Sequence, residues 1–400
     1  MALILAGFVT SGNLSGDNRE NLVAKLIYLG ISIVFIFYYV FMLNNKDFKK
    51  YIVYVVIIEL TFNAFLTFKN NGNENTYSDY INKYNAWDLL DKNVSQPEED
   101  FYKYLCKKYG DEDNFTDTII TNVSADNVPY LTFKPFVNNP YIRQAFSTRL
   151  GGVSSGMYES MNLTFNPVGQ YSADSYENVL ANFKLMADTI DIPVENMVYT
   201  KQTHTTNIKI VDNSNKGMGI IKERNYDNID GIITNTNNLC LVSSFADCIP
   251  VTLVDAKKGV IAALHSGWKG TVGNISQNGI ECMKESFGCN EADIIAFVGP
   301  GICKNCYQVS EDVAIEFMKV YSAEETELIL TPDDNNKCTG KYHLDLIAAN
   351  YINLINAGLL PHNIYVADVC TSCNKELLFS HRASGGRRGI MCNFIYMRLI

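Results

Sequence analysis

The spacing of apolar residues predicts a mixed domain of helices and strands in the second part of the chain. Over Tyr176–Ile190, apolar side chains recur at helical spacing and lie on one face. The same spacing predicts three further helices, over Thr271–Phe287, Asp312–Val320 and Leu344–Asn356. Short apolar runs predict strands over Met197–Thr200, Ile208–Val211, Gly231–Thr234, Leu239–Ser243, Val251–Val254, Val260–Leu264, Ile294–Val298, Ile364–Val366 and Asn393–Leu399. Because helices and strands alternate irregularly, we predict the α/β class.

The N-terminal region, residues 1–72, follows a different pattern. Leu26–Asn45 contains no charged residue, and Tyr51–Phe68 contains only Glu59. Crossing a bilayer takes about 20 apolar residues. We therefore predict two transmembrane helices, over about 23–45 and 51–68, ahead of the α/β domain. The alternative is a pair of helices buried in a protein core, although such helices seldom run this long without polar residues.

A polar stretch, residues 73–127, separates this region from the predicted domain. It is rich in Asn, Asp and Tyr, which predicts a linker with little structure of its own. Apolar alternation begins at Val128, so we expect the soluble domain to occupy residues 128–400.

Composition and charge restrict the classes of function that this domain could have. The chain has 400 residues and a net charge of −10, which argues against nucleic-acid binding because phosphate backbones require a basic surface. It is 47% hydrophobic and 19% charged, as expected of a protein with a large core. All histidines lie at or after His204 and all cysteines at or after Cys106, so the candidate chemistry lies after the N-terminal region.

Three residues could form a metal site. His204, Cys248 and His265 each lie where a predicted strand gives way to a loop, and such rims often carry active sites. Two imidazoles and a thiolate are good zinc ligands, and three protein ligands leave a fourth position open for water or substrate. Their spacing matches no zinc-finger pattern. The alternative is therefore two ordinary histidines and a buried cysteine.

A second group of candidates consists of two CxxC pairs, Cys303 with Cys306 and Cys370 with Cys373. Four thiolates could hold a structural zinc ion. The two pairs are much farther apart in the chain than in a compact zinc ribbon. The alternative is that these cysteines are small packing residues in a reducing compartment.

Two arginines and one aspartate complete the candidates. Arg149 precedes a pair of glycines and Arg382 lies shortly before Gly385 and Gly386, settings in which a guanidinium can grip phosphate with two hydrogen bonds. Either arginine could equally be a solvated surface charge. Asp247 adjoins Cys248 and could orient a ligand or transfer protons. A buried carboxylate with only a hydrogen-bonding role would have the same sequence setting.

Taken together, these motifs resemble the YfiH-type family, also called the laccase-domain or multicopper polyphenol oxidase family. The matching stretches run in order from about Val128 to Ile400 and include Phe146–Gly152, Gln202–His204, Asp230–Gly231, Ala246–Pro250, His265–Gly270, Gly299–Gly301, Cys306–Tyr307 and Cys370–Thr371. The combination of Ala246–Pro250 with His265–Gly270 is the most specific part. The hydrophobic N-terminal region lies outside the resemblance.

This resemblance implies a fold, a metal and a reaction. The fold would be a layered α/β/β/α sandwich, and the family's metal ligands fall on His204, Cys248 and His265. The metal would be zinc, with copper as the older assignment. Members of the family cleave adenosine, inosine and methylthioadenosine with phosphate and also deaminate adenosine. A late Tyr-Arg-Arg-like segment of the family reads Ser380–Arg382 here.

The N-terminal part has a resemblance of its own. Within residues 23–90, the stretches Ile58–Phe68 and Tyr77–Ala86 are similar to a fragment of a YfhO-type membrane protein. We therefore expect the chain to be membrane-associated through this region. Thiols and a metal site favour a cytoplasmic catalytic domain. The lysines that follow the first predicted span favour the opposite side, because the positive-inside rule would place them in the cytoplasm and a hairpin would place the domain outside.

The leading hypothesis is a purine nucleoside phosphorylase with adenosine deaminase activity. In it, Cys248 and Asp247 are the catalytic candidates, and Arg149 and Arg382 bind substrate or phosphate. One alternative is a copper-dependent polyphenol oxidase, although five histidines in the whole chain are few for a multicopper cluster. Another is a non-catalytic, membrane-anchored binding module, although an intact set of three metal ligands argues against a decayed site.

Overall fold

A computed structural model describes residues 118–137, 139–333, 340–367 and 369–398. The predicted transmembrane helices over 23–45 and 51–68 lie outside these residues, as does most of the predicted linker. Among the helices that are described, none has the length and apolar content needed to cross a bilayer.

The strands of the described residues form two six-stranded sheets and one three-stranded sheet. They are β1 Ile119–Val123, β2 Pro129–Phe133, β3 Ile142–Ser147, β4 Met197–Tyr199, β5 Ile208–Ile210, β6 Gly231–Thr234, β7 Cys240–Phe245, β8 Ile249–Asp255, β9 Val260–Ser266, β10 Ile295–Val298, β11 Gln308–Ser310, β12 Leu330–Pro332, β13 Lys341–Leu344, β14 Ile364–Val366 and β15 Met391–Met397. The first sheet has the order β1-β2-β3-β15-β7-β4, and the second has the order β14-β10-β8-β9-β6-β5. The small sheet has the order β11-β13-β12.

The α-helices of the described residues largely follow the apolar periodicity. They are α1 Lys134–Val137, α2 Tyr176–Ile190, α3 Trp268–Val272, α4 Ile275–Phe287, α5 Glu311–Val320, α6 Ala323–Ile329, α7 Leu346–Asn356 and α8 His381–Ser384. Helix α2 has the predicted bounds, and its N-cap Ser175 accepts a hydrogen bond from the Asn178 backbone N–H. The prediction of one helix over Thr271–Phe287 is wrong at its start. The predicted helix is interrupted at Asn274, which has a left-handed backbone (φ 57°). The Asn274 side chain caps the N-terminus of α4.

Three core clusters define the order of the layers. In β7, Cys240 and Val242 pack in a cluster with Phe183 of α2, whereas Leu241 packs in the cluster between the two large sheets. In β9, Ile261 and Ala263 belong to that same central cluster. The alternating residues of β9, Ala262 and Leu264, pack with residues of α4 and α7, which include Ile280, Met283 and Leu354. Each of the two large sheets is thus buried on both faces, and the layers run α/β/β/α.

The first sheet begins earlier in the chain than the sequence predicts. Strand β1 lies within the predicted linker 73–127 and pairs antiparallel with β2. Just before it, the buried Thr118 hydroxyl donates a 2.6 Å hydrogen bond to the Val366 carbonyl. As an edge strand, β1 has one paired side and a partly polar sequence, so its apolar signal is weaker than that of a central strand.

Two connections cross from the first sheet to the second at the same end of the layers. The chain passes from β4 to β5 and from β7 to β8, and β4 and β7 are parallel neighbours. The start of β8 lies beside the end of β9, where Pro250 is paired with His265. Strand β9 extends past its predicted end at Leu264, so His265 lies within it. The topology therefore brings the loops around His204 and Cys248 to the end of β9.

Candidate metal centre

The side chains of His204, Cys248 and His265 meet at this end of the sheets. Their ligand atoms all lie within 4.8 Å of one another. Cys248 Sγ is 3.9 Å from His204 Nε2, and the two imidazole ring centroids are 5.0 Å apart. His265 is buried, Cys248 is partly exposed and His204 is exposed. The three residues that the sequence singles out thus form one group with an open side.

A fourth residue, Asp230, organises this group. Its buried carboxylate accepts a 2.8 Å hydrogen bond from His265 Nδ1 and a 3.0 Å bond from the backbone N–H of His204, both at Oδ1. Its Oδ2 accepts from the backbone N–H groups of Thr203 and Thr205 at 3.0 and 2.9 Å. A proton held on His265 Nδ1 leaves the Nε2 lone pair available for a metal.

The backbone conformation around the site leaves room for the side chains of the candidate ligands to come together. His204 itself has a left-handed conformation (φ 63°), and the loop from Thr203 to Thr205 wraps around the Asp230 carboxylate. After β9 the chain continues through Gly267. A Cβ atom at this position would lie 2.9 Å from His204 Cδ2 and 3.0 Å from Cys248 Sγ. Glycine at position 267 therefore leaves space for the side chains of two of the three candidate ligands.

The charges of the site favour a thiolate at Cys248 and an imidazolium at His265, whose Nε2 proton a metal ion would displace. Burial alone would raise the pKa of the Cys248 thiol, but the imidazoles of His265 and His204 lower that pKa to about 6. Burial also opposes a charge on His265, whose pKa is nevertheless raised to about 9 by Cys248 and Asp230. The pKa of Asp230 is lowered to about 2, against the effect of burial, by hydrogen bonds from His265 and from backbone N–H groups.

These residues fit a metal ion. Two imidazoles and one thiolate form a donor set suited to zinc and neighbouring transition metals. The Asp230–His265 hydrogen bond is the kind of carboxylate–histidine contact that orients metal-bound imidazoles. With three protein ligands and one exposed side, the group matches the catalytic type of site better than the structural type, which uses four ligands.

The sequence candidate Asp247 lies next to this group and holds two loops. Its backbone is left-handed (φ 93°) and its side chain is buried. Oδ1 accepts a 2.6 Å hydrogen bond from the Thr371 hydroxyl, and Oδ2 accepts a 2.7 Å bond from the backbone N–H of Arg382. The carboxylate is thus fixed in place, and its role in proton transfer stays a prediction.

The two predicted phosphate-binding arginines make contacts with backbone carbonyls. Arg149 donates to the carbonyls of Lys375 at 2.7 Å and Glu159 at 3.2 Å, and its guanidinium lies over Phe379. Arg382 donates to the Gln308 carbonyl at 2.9 Å and lies over Tyr307. Arg382 is tied to Asp247 through its backbone. The Arg149 guanidinium instead joins its own loop to Lys375 and Glu159.

Arg388, which with Arg382 and Arg387 flanks Gly385 and Gly386 in the sequence, interacts electrostatically with Asp247 and Cys248. Its Nε donates to His381 Nδ1 at 3.3 Å and its Nη1 donates to the Gly389 carbonyl at 3.2 Å. Burial lowers the pKa of Arg388, and the negative charges of Asp247 and Cys248 partly oppose that shift. The sequence alone does not distinguish Arg388 from its neighbour Arg387. In the structure, the Arg387 guanidinium lies over the Tyr171 ring.

Fold and site together define a class: a layered α/β/β/α protein with a candidate metal centre of two histidines and one cysteine. The sequence pattern of the family described as multi-copper polyphenol oxidoreductase laccase matches residues 143–398. This match covers more than half of the chain, and the chain belongs to that family.

Several named relatives share this domain. Purine nucleoside phosphorylase YlmD of Bacillus subtilis is 33% identical over 265 residues, which are 65% of this chain and 90% of that protein. Adenosine deaminase RL5, from an unknown prokaryotic organism, is 30% identical over 257 residues, or 64% of this chain and 94% of that protein. The crystal structure of YlmD from Geobacillus stearothermophilus superposes with a TM-score of 0.62 at 29% identity, covering 70% of this chain and all of that one.

Proposed function

We propose that this chain is a metal-dependent purine nucleoside phosphorylase that also deaminates adenosine. The observation that carries the proposal is the convergence of His204, Cys248 and His265 around Asp230, in a chain that belongs to a family with members named for these two activities. The substrates would be adenosine, inosine or methylthioadenosine together with phosphate. Zinc is the proposed metal because its preferred donors are those present.

Each residue of the proposed site would have a separate role. A zinc ion held by His204, Cys248 and His265 would supply Lewis-acid chemistry. Asp230 would keep His265 in the tautomer that presents Nε2. Asp247, fixed by Thr371 and Arg382, is our candidate for moving a proton to or from the purine.

Phosphorolysis breaks the N-glycosidic bond and joins a phosphate oxygen to the ribose carbon that held the base. Positive charge develops on the ribose, so a phosphate anion held beside it stabilises the transition state. We propose that Arg388 and Arg382 hold this anion, because the Arg382 backbone N–H bonds the Asp247 carboxylate and Arg388 interacts electrostatically with Asp247 and Cys248. Arg149 remains a further candidate for the same task.

Cys248 has two conceivable roles, ligand or nucleophile. Its lowered pKa suits both, because the thiolate is the reactive and the metal-binding form. We favour the ligand role. Without Cys248 the centre would keep only two histidines, whereas catalytic zinc sites usually have three protein ligands.

The family description favours a copper polyphenol oxidase as the second candidate. Such an enzyme needs several copper ions and many imidazoles, and the chain has five histidines in all. A non-catalytic binding module is the third candidate. Both make a clear prediction: neither would release purine base from a nucleoside.

The test uses the purified full chain with zinc and, in parallel, with copper. Inosine and adenosine are supplied with and without phosphate, and free base, ribose 1-phosphate and inosine are quantified. We expect phosphate-dependent base release that His204→Ala abolishes. Oxidation of a phenolic substrate with oxygen consumption, and no base release, would favour the oxidase instead. Nucleoside binding without any turnover would favour the binding module.

A further inference from the structure

The four cysteines of the two CxxC pairs form a second cluster. The sulfur atoms of Cys303, Cys306, Cys370 and Cys373 all lie within 4.8 Å of one another. We propose that this cysteine cluster is a structural zinc site of four thiolates that positions the loops carrying Asp247 and Arg382. Zinc binding by the cysteine cluster does not depend on the proposed function. The expected effect of this zinc on activity does rest on the proposed function.

The fold explains how two distant pairs meet. Strands β10 and β14 are parallel neighbours, so the loops that follow them leave the same edge of the second sheet. The loop after β10 carries Cys303 and Cys306, and the loop after β14 carries Cys370 and Cys373. Backbone pairing joins the loops directly, because the Thr371 N–H donates a 3.0 Å hydrogen bond to the Gly301 carbonyl. The wide separation along the chain is therefore no obstacle to a shared site.

The spacing of the sulfurs fits a single ion. Four sulfurs at the usual zinc distance of ~2.3 Å, arranged as a tetrahedron, are about 3.8 Å apart. Here Cys306 Sγ and Cys373 Sγ are 3.4 Å apart, and no pair of sulfurs exceeds 4.8 Å. Thiolates around an iron–sulfur cluster are farther apart, because the cluster lies between them. A disulfide would need a sulfur separation of about 2.05 Å, and all four residues are thiols.

Backbone N–H groups point at one of the sulfurs. Cys370 Sγ accepts hydrogen bonds from the backbone N–H groups of Cys303 at 3.3 Å and Cys373 at 3.4 Å. Two amide donors on one sulfur stabilise a negatively charged thiolate, the form that binds metal. Packing cysteines need only apolar neighbours and gain little from sulfurs that face one another. Both the donors and the convergence of the sulfurs therefore favour a metal.

The cysteine cluster is connected to the candidate active site through short contacts. The backbone N–H of Ile302, next to Cys303, donates a 3.0 Å hydrogen bond to the Asp247 carbonyl. Thr371, next to Cys370, holds the Asp247 carboxylate. The Arg382 guanidinium reaches the Cys306 carbonyl at 3.4 Å and lies over the adjacent Tyr307 ring. An ion that ties the four cysteines together would thus fix Asp247 and Arg382.

The proposal is tested by metal analysis of the full chain, purified under reducing conditions with zinc. We expect about two zinc ions per chain in the wild type and about one in His204→Ala. The double variant Cys306→Ser, Cys373→Ser should also retain about one, whereas Cys282→Ser, outside both clusters, should retain two. Cobalt loaded into His204→Ala should give the intense thiolate-to-metal absorption of a tetrahedral four-sulfur site.

A second measurement covers the case in which the double variant fails to fold. In His204→Ala, titration with a thiol-specific mercurial should release the remaining zinc, detected with a metal-sensitive dye. One zinc per chain in the wild type and none in His204→Ala would overturn the proposal. So would a Cys306–Cys373 disulfide in the reduced preparation, or iron and sulfide in place of zinc. A chain with two zinc ions and no phosphorolysis would support this site and refute the proposed function.

Discussion

The two sulfur-containing clusters lie at the same end of the domain but differ in ligand type and access. The candidate metal centre combines two imidazoles and one cysteine sulfur, and its His204 is exposed. The cysteine cluster has four thiols, of which Cys303 and Cys370 are buried. Three ligands leave a position for substrate, whereas four saturate a tetrahedral ion. If both clusters bind zinc as proposed, the first is suited to chemistry and the second to structural support.

The strongest test of this comparison is a matched pair of cysteine substitutions. Cys248→Ser should lower base release by at least about 100-fold, because a neutral hydroxyl is a poor replacement for a thiolate ligand and one ligand of three is lost. Cys373→Ser should lower it much less. The assays are turnover and zinc content side by side, with excess zinc expected to restore part of the Cys248→Ser activity. Normal zinc content in an inactive Cys248→Ser, together with a ribosyl adduct trapped on wild-type Cys248, would instead identify a nucleophile.

A chelator should separate the two clusters without mutation. EDTA should remove zinc from the open metal centre and stop turnover, while the zinc of the cysteine cluster remains. The two sites would differ in access and in ligand number. The open centre would have three protein ligands and an exposed side, whereas the cysteine cluster would surround its ion with four thiolates. Metal content after desalting would fall from about two ions to one. Simultaneous loss of both ions would contradict the distinction between an open and a closed site.

Asp230→Asn probes the support of the metal centre alone. An amide cannot replace the carboxylate, which accepts from His265 Nδ1 and from three backbone N–H groups. Loss of such a supporting carboxylate typically costs about 10- to 100-fold in metal affinity or activity. Zinc titration of the metal centre should show this loss, with the cysteine cluster unaffected. Unchanged affinity would mean that the backbone alone orients His265.

Arg388→Ala addresses the phosphate side of the proposed reaction. If Arg388 binds the anion, the KM for phosphate should rise about tenfold, equivalent to roughly 1.4 kcal/mol. Zinc content should stay normal because Arg388 is not a ligand. Arg387→Ala is the matched control and should leave the phosphate KM near its wild-type value. An equal effect of both substitutions would indicate only a general contribution of positive charge.

The smallest expected effect concerns β1. A domain of residues 118–400 keeps this strand, whereas residues 128–400 lack it and lose the Thr118–Val366 hydrogen bond. The shorter domain should unfold at a lower temperature, by roughly 2–4 °C for each kcal/mol lost. Zinc content should be equal in the two, because β1 is at the far edge of the first sheet from β4. A higher melting temperature for residues 128–400 would show that the edge strand is dispensable.

Sequence patterns predicted some of these features and missed others for identifiable reasons. Helix α2 was predictable because its apolar residues repeat every turn. The three candidate ligands were singled out through motifs, and the structure brings them together. Asp230 was not recognised as their support, since its role depends on hydrogen bonds to groups far apart in the chain. The break at Asn274 was missed because a single left-handed residue leaves the apolar period intact on both sides.

The two connections that cross between the large sheets have a consequence for local opening. His204 lies on the first crossing and Cys248 on the second, while His265 belongs to the second sheet itself. A metal bound by all three would link chain segments of both layers and oppose their separation. Amide hydrogens at the ends of β4, β7 and β9 should then exchange with solvent deuterium more slowly in the loaded protein. Strands β1 and β2, remote from the crossings, should exchange at the same rate with and without metal.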